Sequence, residues 1–294
     1  MELKMKQKLV ILGAGESGVG AAILGQQKGY DVFVSDYGSI KDQYAQVLTS
    51  SHIAWEDKGH TVSQIITADV VVKSPGIADL APIVCSLKQA GVQVISEIEF
   101  AAQFTEATIV AITGSNGKTS TASLTYALLK EDLNVALGGN IGDSFAAQVA
   151  SPDYKNYVLE LSSFQLDGIK KFAPHIAVLT NLSPDHLDRY ENSYQKYIAS
   201  KFRITMNQTA SDYFIYDGDD IQINKWLESH EIKAIKLPFS LTQTLEQGAY
   251  VKEDKIIITI QNTQFTMPIA TLGLQGKHNV KNAMAASTVA TLLK

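Results

Sequence analysis

Leu9-Val10-Ile11-Leu12-Gly13-Ala14-Gly15-Glu16-Ser17-Gly18 is the stretch whose reading decides the fold of this chain. Four apolar residues read as a buried strand, and glycines follow at once. A glycine turn between strand and helix lets backbone amides approach a pyrophosphate, which then sits on the helix N-terminus. Residues 21–28 read as that helix. Asp36 follows the next apolar run, 32–35, about where a Rossmann-type unit keeps the acid that meets a ribose. A dinucleotide and another nucleotide diphosphate fit the motif equally; a tight turn with no ligand is the plain alternative.

Outward from this stretch the pattern repeats. Residues 70–72 form another short apolar run and 92–95 a weaker copy, with helical segments between. Such alternation predicts an α/β class with a parallel sheet covered by helices. A second unit starts near Ser96. Residues 109–113, 157–161 and 176–180 read as buried strands, 119–130 as a helix, and 193–206 as helical. From 213 to 268 the pattern loosens into short strands and turns, with Asp217-Gly218 as a turn signal. Residues 278–294 read as a helix that stops without the Gly or Pro that commonly follows one, which fits a protein that simply ends there and, at least as well, a chain cut from a longer one.

The 294 residues suggest about two domains. Hydrophobic residues make 45%, charged 19% and aromatic 8%, which excludes a disordered, collagen-like or coiled-coil chain. The balance of 25 basic and 30 acidic residues, net −5, argues against a protein that binds nucleic acid by neutralising phosphates. It leaves room for a local cationic pocket. The single cysteine, Cys85, excludes an intramolecular disulfide framework and argues against structural zinc. No apolar run approaches the roughly 20 residues that span a bilayer, so no membrane insertion is expected. MELKMKQKLVILGAG reads as a first strand and not a signal peptide, so the expected compartment is the cytoplasm.

Five groups could carry chemistry. The 13–18 loop with Asp36 is the first. The second is Thr113-Gly114-Ser115-Asn116-Gly117-Lys118-Thr119, again between strand and helix. Backbone amides there would cradle phosphates, Lys118 would reach the β/γ-phosphates and Thr119 would hold Mg²⁺. The general G-x-x-x-x-G-K-[ST] pattern fails, because Ile112 stands where it needs glycine. The third is Glu160 in Leu159-Glu160-Leu161-Ser162-Ser163-Phe164-Gln165-Leu166, a carboxylate at a strand end suited to Mg²⁺, or else a solvent-facing edge residue. The fourth is Ser183-Pro184-Asp185-His186-Leu187-Asp188-Arg189-Tyr190, a metal cluster or, more simply, a helix cap at Ser183 or Asp185. The fifth is Lys201, which in a helix is ordinarily solvated.

GSNGKTST, LELSSFQL, SPDHLDRY and GKHNVKNAMAA together resemble the ATP-dependent Mur ligases. SPGI (74–77), SEIEF (96–100) and GGNIG (138–142) fit in the same order, and the resemblance runs from about residue 8 to the end. This family uses the shorter T-G-[ST]-x-G-K-[ST], which removes the difficulty at Ile112. The resemblance implies a Rossmann-like N-terminal domain over 1–95 that binds the UDP of its substrate, then a P-loop-type ATP-binding α/β central domain over 96–294. A C-terminal domain that binds the amino acid is expected to be missing.

By the same resemblance, the reaction is ATP-dependent addition of D-glutamate to UDP-N-acetylmuramoyl-L-alanine through an acyl phosphate, in peptidoglycan precursor synthesis. The catalytic residues would be Lys118, His186 and Lys201. Gly114, Ser115, Asn116, Gly117, Lys118, Thr119, Asn279 and Asn282 would bind ATP. Gly15, Ser17, Gly18, Asp36, Ser74, Gly76, Asn140, Ser162 and Gln165 would bind the UDP substrate. Thr119 and Glu160 match one Mg²⁺ site; His186 and Lys201, the latter as a carbamate, match a second. Tyr37 departs from the threonine the family often has after the acid, which puts its part in uracil binding in question. A monomer is expected. The competing readings are another Mur ligase with a different amino acid, an NAD-dependent oxidoreductase, and a nucleotide-binding module without catalysis.

Overall fold

The computed structural model describes residues 6–151, 154–261, 263–273 and 276–294. It divides into two compact units. Unit 1 comprises Met1–Glu106, Gly142–Asp153 and Phe164–Phe172; unit 2 comprises Ala107–Ile141, Tyr154–Ser163 and Ala173–Lys294. The compact units and the expected boundary at residue 95 divide the chain differently. Unit 1 runs on through helix Glu97–Ala102 and takes in two later segments. Hydrogen bonds hold those segments: Ala146 N donates to Glu97, Ser96 N donates to Gly168 O at 2.9 Å, and the Glu99 carboxylate accepts from the amides of Lys170, Lys171 and Phe172 at 2.8–3.0 Å.

Unit 1 is built on a parallel five-stranded sheet. Its strands are β1 (Lys8–Leu12), β2 (Asp31–Ser35), β3 (Ala54–Glu56), β4 (Val70–Lys73) and β5 (Gln93–Ile95), in the order β3-β2-β1-β4-β5. Buried on both faces, the inner strands read as unbroken apolar runs, and Val10, Leu12, Val71, Ile83, Val84 and Leu87 share one core. The order reverses at β1, so its carboxyl end, where the 13–18 loop starts, is a topological switch point. Helix Glu16–Gln27 leaves that loop and presses on the strand. A Cβ on Gly18 would lie 1.9 Å from Gly13 O. Gly18→Ala is therefore expected to cost about 1–3 kcal/mol of stability, as overpacking does, read as a lower urea midpoint; an unchanged midpoint would contradict this packing.

Unit 2 carries strands β6 (Thr108–Thr113), β7 (Val135–Gly139), β8 (Asn156–Glu160), β9 (Ile176–Leu179), β10 (Tyr213–Asp217), β11 (Ile235–Ser240), β12 (Gly248–Lys252), β13 (Lys255–Ile260) and β14 (Thr263–Pro268). They form one nine-stranded sheet in the order β14-β13-β12-β11-β10-β9-β6-β8-β7. It is parallel from β7 to β12, and β13 and β14 join antiparallel. Here the order turns at β6, which places the 114–119 loop at a second switch point. Helix Lys118–Leu129 and the long helix Lys277–Leu293 pack together on this sheet. Among the described residues no helix is long and apolar enough to cross a membrane.

Some elements differ from expectation. The loosely patterned 213–268 segment contains a helix, Ile221–Ser229, started by Asp220, whose carboxylate accepts from Gln222 N and Ile223 N. Residues 183–186 hold no side-chain helix cap. The short 3₁₀ turn Leu187–Tyr190 begins at His186, which itself is left-handed with φ of 49°.

Candidate functional site

In unit 1 the ends of three parallel strands meet at the glycine loop. Gly13 N donates to Ser35 O at 2.9 Å, and Ser74 Oγ donates to Gly13 O at 3.3 Å. Ser17 lies half-buried in the first helical turn and Gly76 is exposed just after β4. Nothing lies within 4 Å of where a Cβ on Gly15 or Gly76 would be, so the face beside the helix N-terminus is open to an incoming phosphate. Asp36 does not stand free at this mouth. Its Oδ2 accepts from Ala14 N at 2.7 Å and its Oδ1 from Gly38 N at 2.8 Å. The carboxylate thus fastens the glycine loop to the turn after β2.

In unit 2 the phosphate loop opens after β6. Ile112 is a fully buried strand residue whose carbonyl accepts from Leu161 N at 2.8 Å, so a glycine there has no task and the loop proper begins at Gly114. Gly117, left-handed at φ of +79°, starts the helix, and a Cβ on it would meet Asn282 Oδ1 at 2.6 Å. Ser115 N and Asn116 N donate to Asn181 O and Oδ1, both at 3.0 Å. Those two amides shape the loop, and an anion is left to the amides at the helix start, which have no intrahelical acceptor.

Lys118 folds back over the loop. Its Nζ donates to Gly114 O at 3.0 Å and Ser115 O at 2.8 Å. Burial pushes its pKa below the ordinary value, against the pull of Glu160 and Asp185. Such an ammonium gains from an arriving anion.

Glu160 is 2% exposed on β8, an inner strand, so the solvent-facing edge reading is set aside. Its Oε2 accepts from Thr119 Oγ1 at 2.7 Å and its Oε1 from Asn140 Nδ2 at 2.9 Å. A hydroxyl and a carboxylate oxygen side by side at the mouth of a phosphate loop suit a hard divalent cation. Ser162 follows, half-buried, while Gln165 is buried in unit 1.

The 183–186 turn is drawn to the phosphate loop. Ser115 Oγ meets Ser183 O and N, each at 2.9 Å, and Tyr197 OH at 3.0 Å. Asn116 Nδ2 donates to Ser183 Oγ at 3.2 Å. The His186 side chain is 56% exposed, with Nε2 3.5 Å from Asp185. Lys201, ordinarily a solvated residue type, is 2% exposed here. Its Nζ donates to Thr113 Oγ1 at 3.2 Å and lies 5.4 Å from the centre of the Tyr197 ring. Among the described residues no three His, Cys, Asp or Glu side chains gather as a metal site, so any ion at His186 needs ligands of other kinds.

Asn282 is buried and accepts from Thr121 Oγ1 at 3.3 Å; Asn279 is half-buried one turn earlier. Between them, Lys281 binds both oxygens of Asp217 at 2.7 and 2.9 Å and lies 3.3 Å from Asp219. Burial raises the Asp217 pKa, whereas Asp219 is held at about 2 because Ser240, Leu241 N, Thr242 and Lys281 outweigh its own desolvation. Sequence reading missed this clamp, as it missed Asn181 and Tyr197. Asn181 and Tyr197 serve the loop, and Lys281 meets Asp217, through contacts distant in sequence that carry no local spacing signal.

Comparison with known proteins agrees with this arrangement. The family model for the MurD N-terminal domain matches residues 8–82, and that for the Mur ligase middle domain matches 112–290. The UDP-N-acetylmuramoylalanine–D-glutamate ligase of Christiangramia forsetii is 58% identical over 291 residues, 99% of this chain and 65% of that protein. The enzyme of the same name from Bacteroides fragilis is 50% identical over 287 residues, 97% of this chain and 64% of that protein. The chain therefore spans just under two thirds of the length of these relatives. In fold it is similar to the Neisseria UDP-N-acetylmuramate:L-alanyl-gamma-D-glutamyl-meso-diaminopimelate ligase, at a TM-score of 0.67 and 18% identity, covering 98% of this chain and 94% of that one. It is also similar to Thermotoga maritima UDP-N-acetylmuramate-alanine ligase, at a TM-score of 0.57 and 19% identity, covering 97% and 65%. With the middle-domain model matched across its phosphate loop, Glu160 and both helix asparagines, the chain belongs to the Mur ligase family.

Proposed function

We propose that these units bind the substrate and the nucleotide of an ATP-dependent ligase that joins D-glutamate to UDP-N-acetylmuramoyl-L-alanine and releases ADP and phosphate in the cytoplasm. The observation that carries the reading is the Thr119–Glu160–Asn140 group beside the 114–118 loop in unit 2. A carboxylate is a poor electrophile. Transfer of the γ-phosphoryl group to the muramoyl-alanine carboxylate makes an acyl phosphate; the amine then attacks the acyl carbon, phosphate leaves and the amine gives up a proton. Charge builds on phosphate oxygens throughout, so preorganised donors matter most.

Lys118 and the amides from Gly117 onward would meet the β/γ-phosphates, and Asn279 with Asn282 would flank the adenine. Gly15, Ser17, Gly18, Ser74 and Gly76 would take the diphosphate of the UDP substrate, and Asn140, Ser162 and Gln165 its muramoyl-alanine end. Thr119 and Glu160 fit one Mg²⁺; His186 with Lys201 as a carbamate would hold another. Bound Mg²⁺ would neutralise phosphate charge. Calorimetry on the 294-residue chain tests the reading. UDP-N-acetylmuramoyl-L-alanine and MgATP should each bind, the first more tightly than UDP-N-acetylmuramate, and NADH should not bind. NADH binding without UDP-substrate binding would overturn it in favour of an oxidoreductase.

A further inference from the structure

Asp217-Gly218, a turn signal in the sequence, opens a run of three acids at the carboxyl end of β10: Asp217, Asp219 and Asp220. Together they reach three other segments of unit 2. Asp217 is buried, and its Oδ1 and Oδ2 accept from Lys281 Nζ at 2.9 and 2.7 Å. Asp219 brings Oδ2 to 3.3 Å from the same ammonium. Its carboxylate also accepts from Ser240 Oγ, Leu241 N and Thr242 Oγ1, at and just beyond the end of β11, at 2.5–2.8 Å. Asp220 starts helix Ile221–Ser229 and accepts from Leu182 N at 2.8 Å.

Two of those segments lead to the phosphate loop. Leu182 follows Asn181, whose O and Oδ1 accept from Ser115 N and Asn116 N. Lys281 precedes Asn282, whose Oδ1 accepts from Thr121 Oγ1 and stands 2.6 Å from where a Cβ on Gly117 would be. The loop is thus gripped at Ser115 and Asn116 by one asparagine and approached at Gly117 by another. The chain neighbours of both are tied to one acidic turn.

The Lys281 ammonium is fully engaged there. It has three protons, and three carboxylate oxygens lie within 3.3 Å of it, so none is left over for a phosphate. Stability alone is a weak reason for such a pair, because desolvation of the buried charges offsets their attraction. Its geometry is more specific. Bonds to both oxygens of a buried carboxylate leave the ammonium little freedom, and through the helix backbone they set where Asn282 stands over Gly117.

We propose that Lys281 is a positioning residue for the nucleotide: gripped by Asp217 and Asp219, it holds the start of helix Lys277–Leu293 so that Asn282 keeps the turn at Gly117, and with it the helix-start amides, in phosphate-binding geometry. The proposal rests on the reading of unit 2 as the nucleotide unit and adds a residue that acts on that site without touching the ligand.

The test is calorimetry of the full 294-residue chain and its variants with MgATP and with magnesium tripolyphosphate, beside thermal unfolding. Lys281→Met should weaken both ligands by about three- to thirtyfold, the range for residues that influence a site without contacting its ligand. It should also lower the thermal midpoint, because Asp217 is left as an unpaired buried charge. The double variant Asp217→Asn, Lys281→Met removes that charge; its midpoint should return to the wild-type value while the loss of affinity persists. Lys281→Arg, which can meet one carboxylate through two N–H groups, should keep most of the affinity. Affinity that returns together with the midpoint in the double variant would make the pair a matter of stability and overturn the proposal. A loss confined to MgATP would place Lys281 against the nucleoside and overturn it too. Wild-type chain that binds neither ligand would overturn the nucleotide reading and the proposal with it.

Discussion

Lys118→Met should weaken MgATP binding by about 1.5–3 kcal/mol, the range for hydrogen bonds to charged groups, which is roughly ten- to a hundredfold or somewhat more. An ammonium has three protons, and two go to Gly114 O and Ser115 O, so one remains for a phosphate oxygen. Burial that lowers its pKa also raises the value of an added negative partner. Adenosine, with no phosphate, should bind Lys118→Met and wild type alike. In a ligase-competent enzyme the loss should appear as about a hundred- to a thousandfold drop in ADP release, since the contact strengthens as charge builds on the transferred group. The sign with pH follows: MgATP affinity should fall as alkaline pH strips the proton from Lys118, and Lys118→Met should lose that slope. Equal affinity of wild type and variant for MgATP would remove Lys118 from the site.

Glu97→Gln should stabilise unit 1 at pH 8 by about 3 kcal/mol and change little at pH 4.5. Glu97 opens helix Glu97–Ala102 and is buried; its Oε1 accepts from Ala146 N, and among the described residues Oε2 has no partner. Burial, with the charge of Glu16 adding and the Ala146 amide opposing, raises its pKa from 4.5 to about 7. Below about pH 4.5 both folded and unfolded chains carry the proton, and the group contributes nothing to the pH dependence. Between about 4.5 and 7 the folded chain keeps a proton that the unfolded chain has released, so stability falls as pH rises. Above 7 the whole cost is present, about 1.4 kcal/mol for each pH unit that separates the folded and unfolded values. Glutamine keeps the bond to Ala146 and has no charge to desolvate. Urea midpoints at pH 4.5, 6 and 8 check this; a gain at pH 8 no larger than at pH 4.5 would refute the buried-charge account.

What was legible in the sequence were the two strand–glycine–helix passages. Parallel strands buried on both faces leave unbroken apolar runs such as β1 and β6, and their loops must carry glycine where the chain turns left-handed or meets another backbone, as at Gly117 and Gly18. The 183–190 segment was not legible as structure. Its sequence offers Ser183 and Asp185 as caps, yet His186, Glu191 and Asn192 are all left-handed and the turn is held from outside by Ser115. Helix Ile221–Ser229 is short, with an apolar stripe of only Ile223, Trp226 and Leu227, and was lost among the strands around it. Lys201 reads as a surface lysine until β6 is placed beside it. Asp36 stood in the expected position, but which atoms its carboxylate holds depends on a loop 22 residues earlier. Periodicity reports a residue's own neighbours along the chain, and each of these is settled by a partner far away in it.

The piecewise make-up of unit 1 has a consequence for synthesis. A chain emerging from the ribosome can lay down all five strands of the first sheet by Ile95, but the three amides that satisfy Glu99 arrive only with Lys170, Lys171 and Phe172. At roughly 5–20 residues per second, the sixty-odd residues between Glu106 and Phe172 take several seconds to appear. In that interval the nascent first unit holds Glu97 without its partner until Ala146 is made and Glu99 without its partners until the end, and the helix that carries them is free to fray. Unit 2 is begun before unit 1 can be closed, so neither is finished in the order in which it is written, and the growing chain must keep an open, half-built first unit out of trouble while the phosphate loop is still being made.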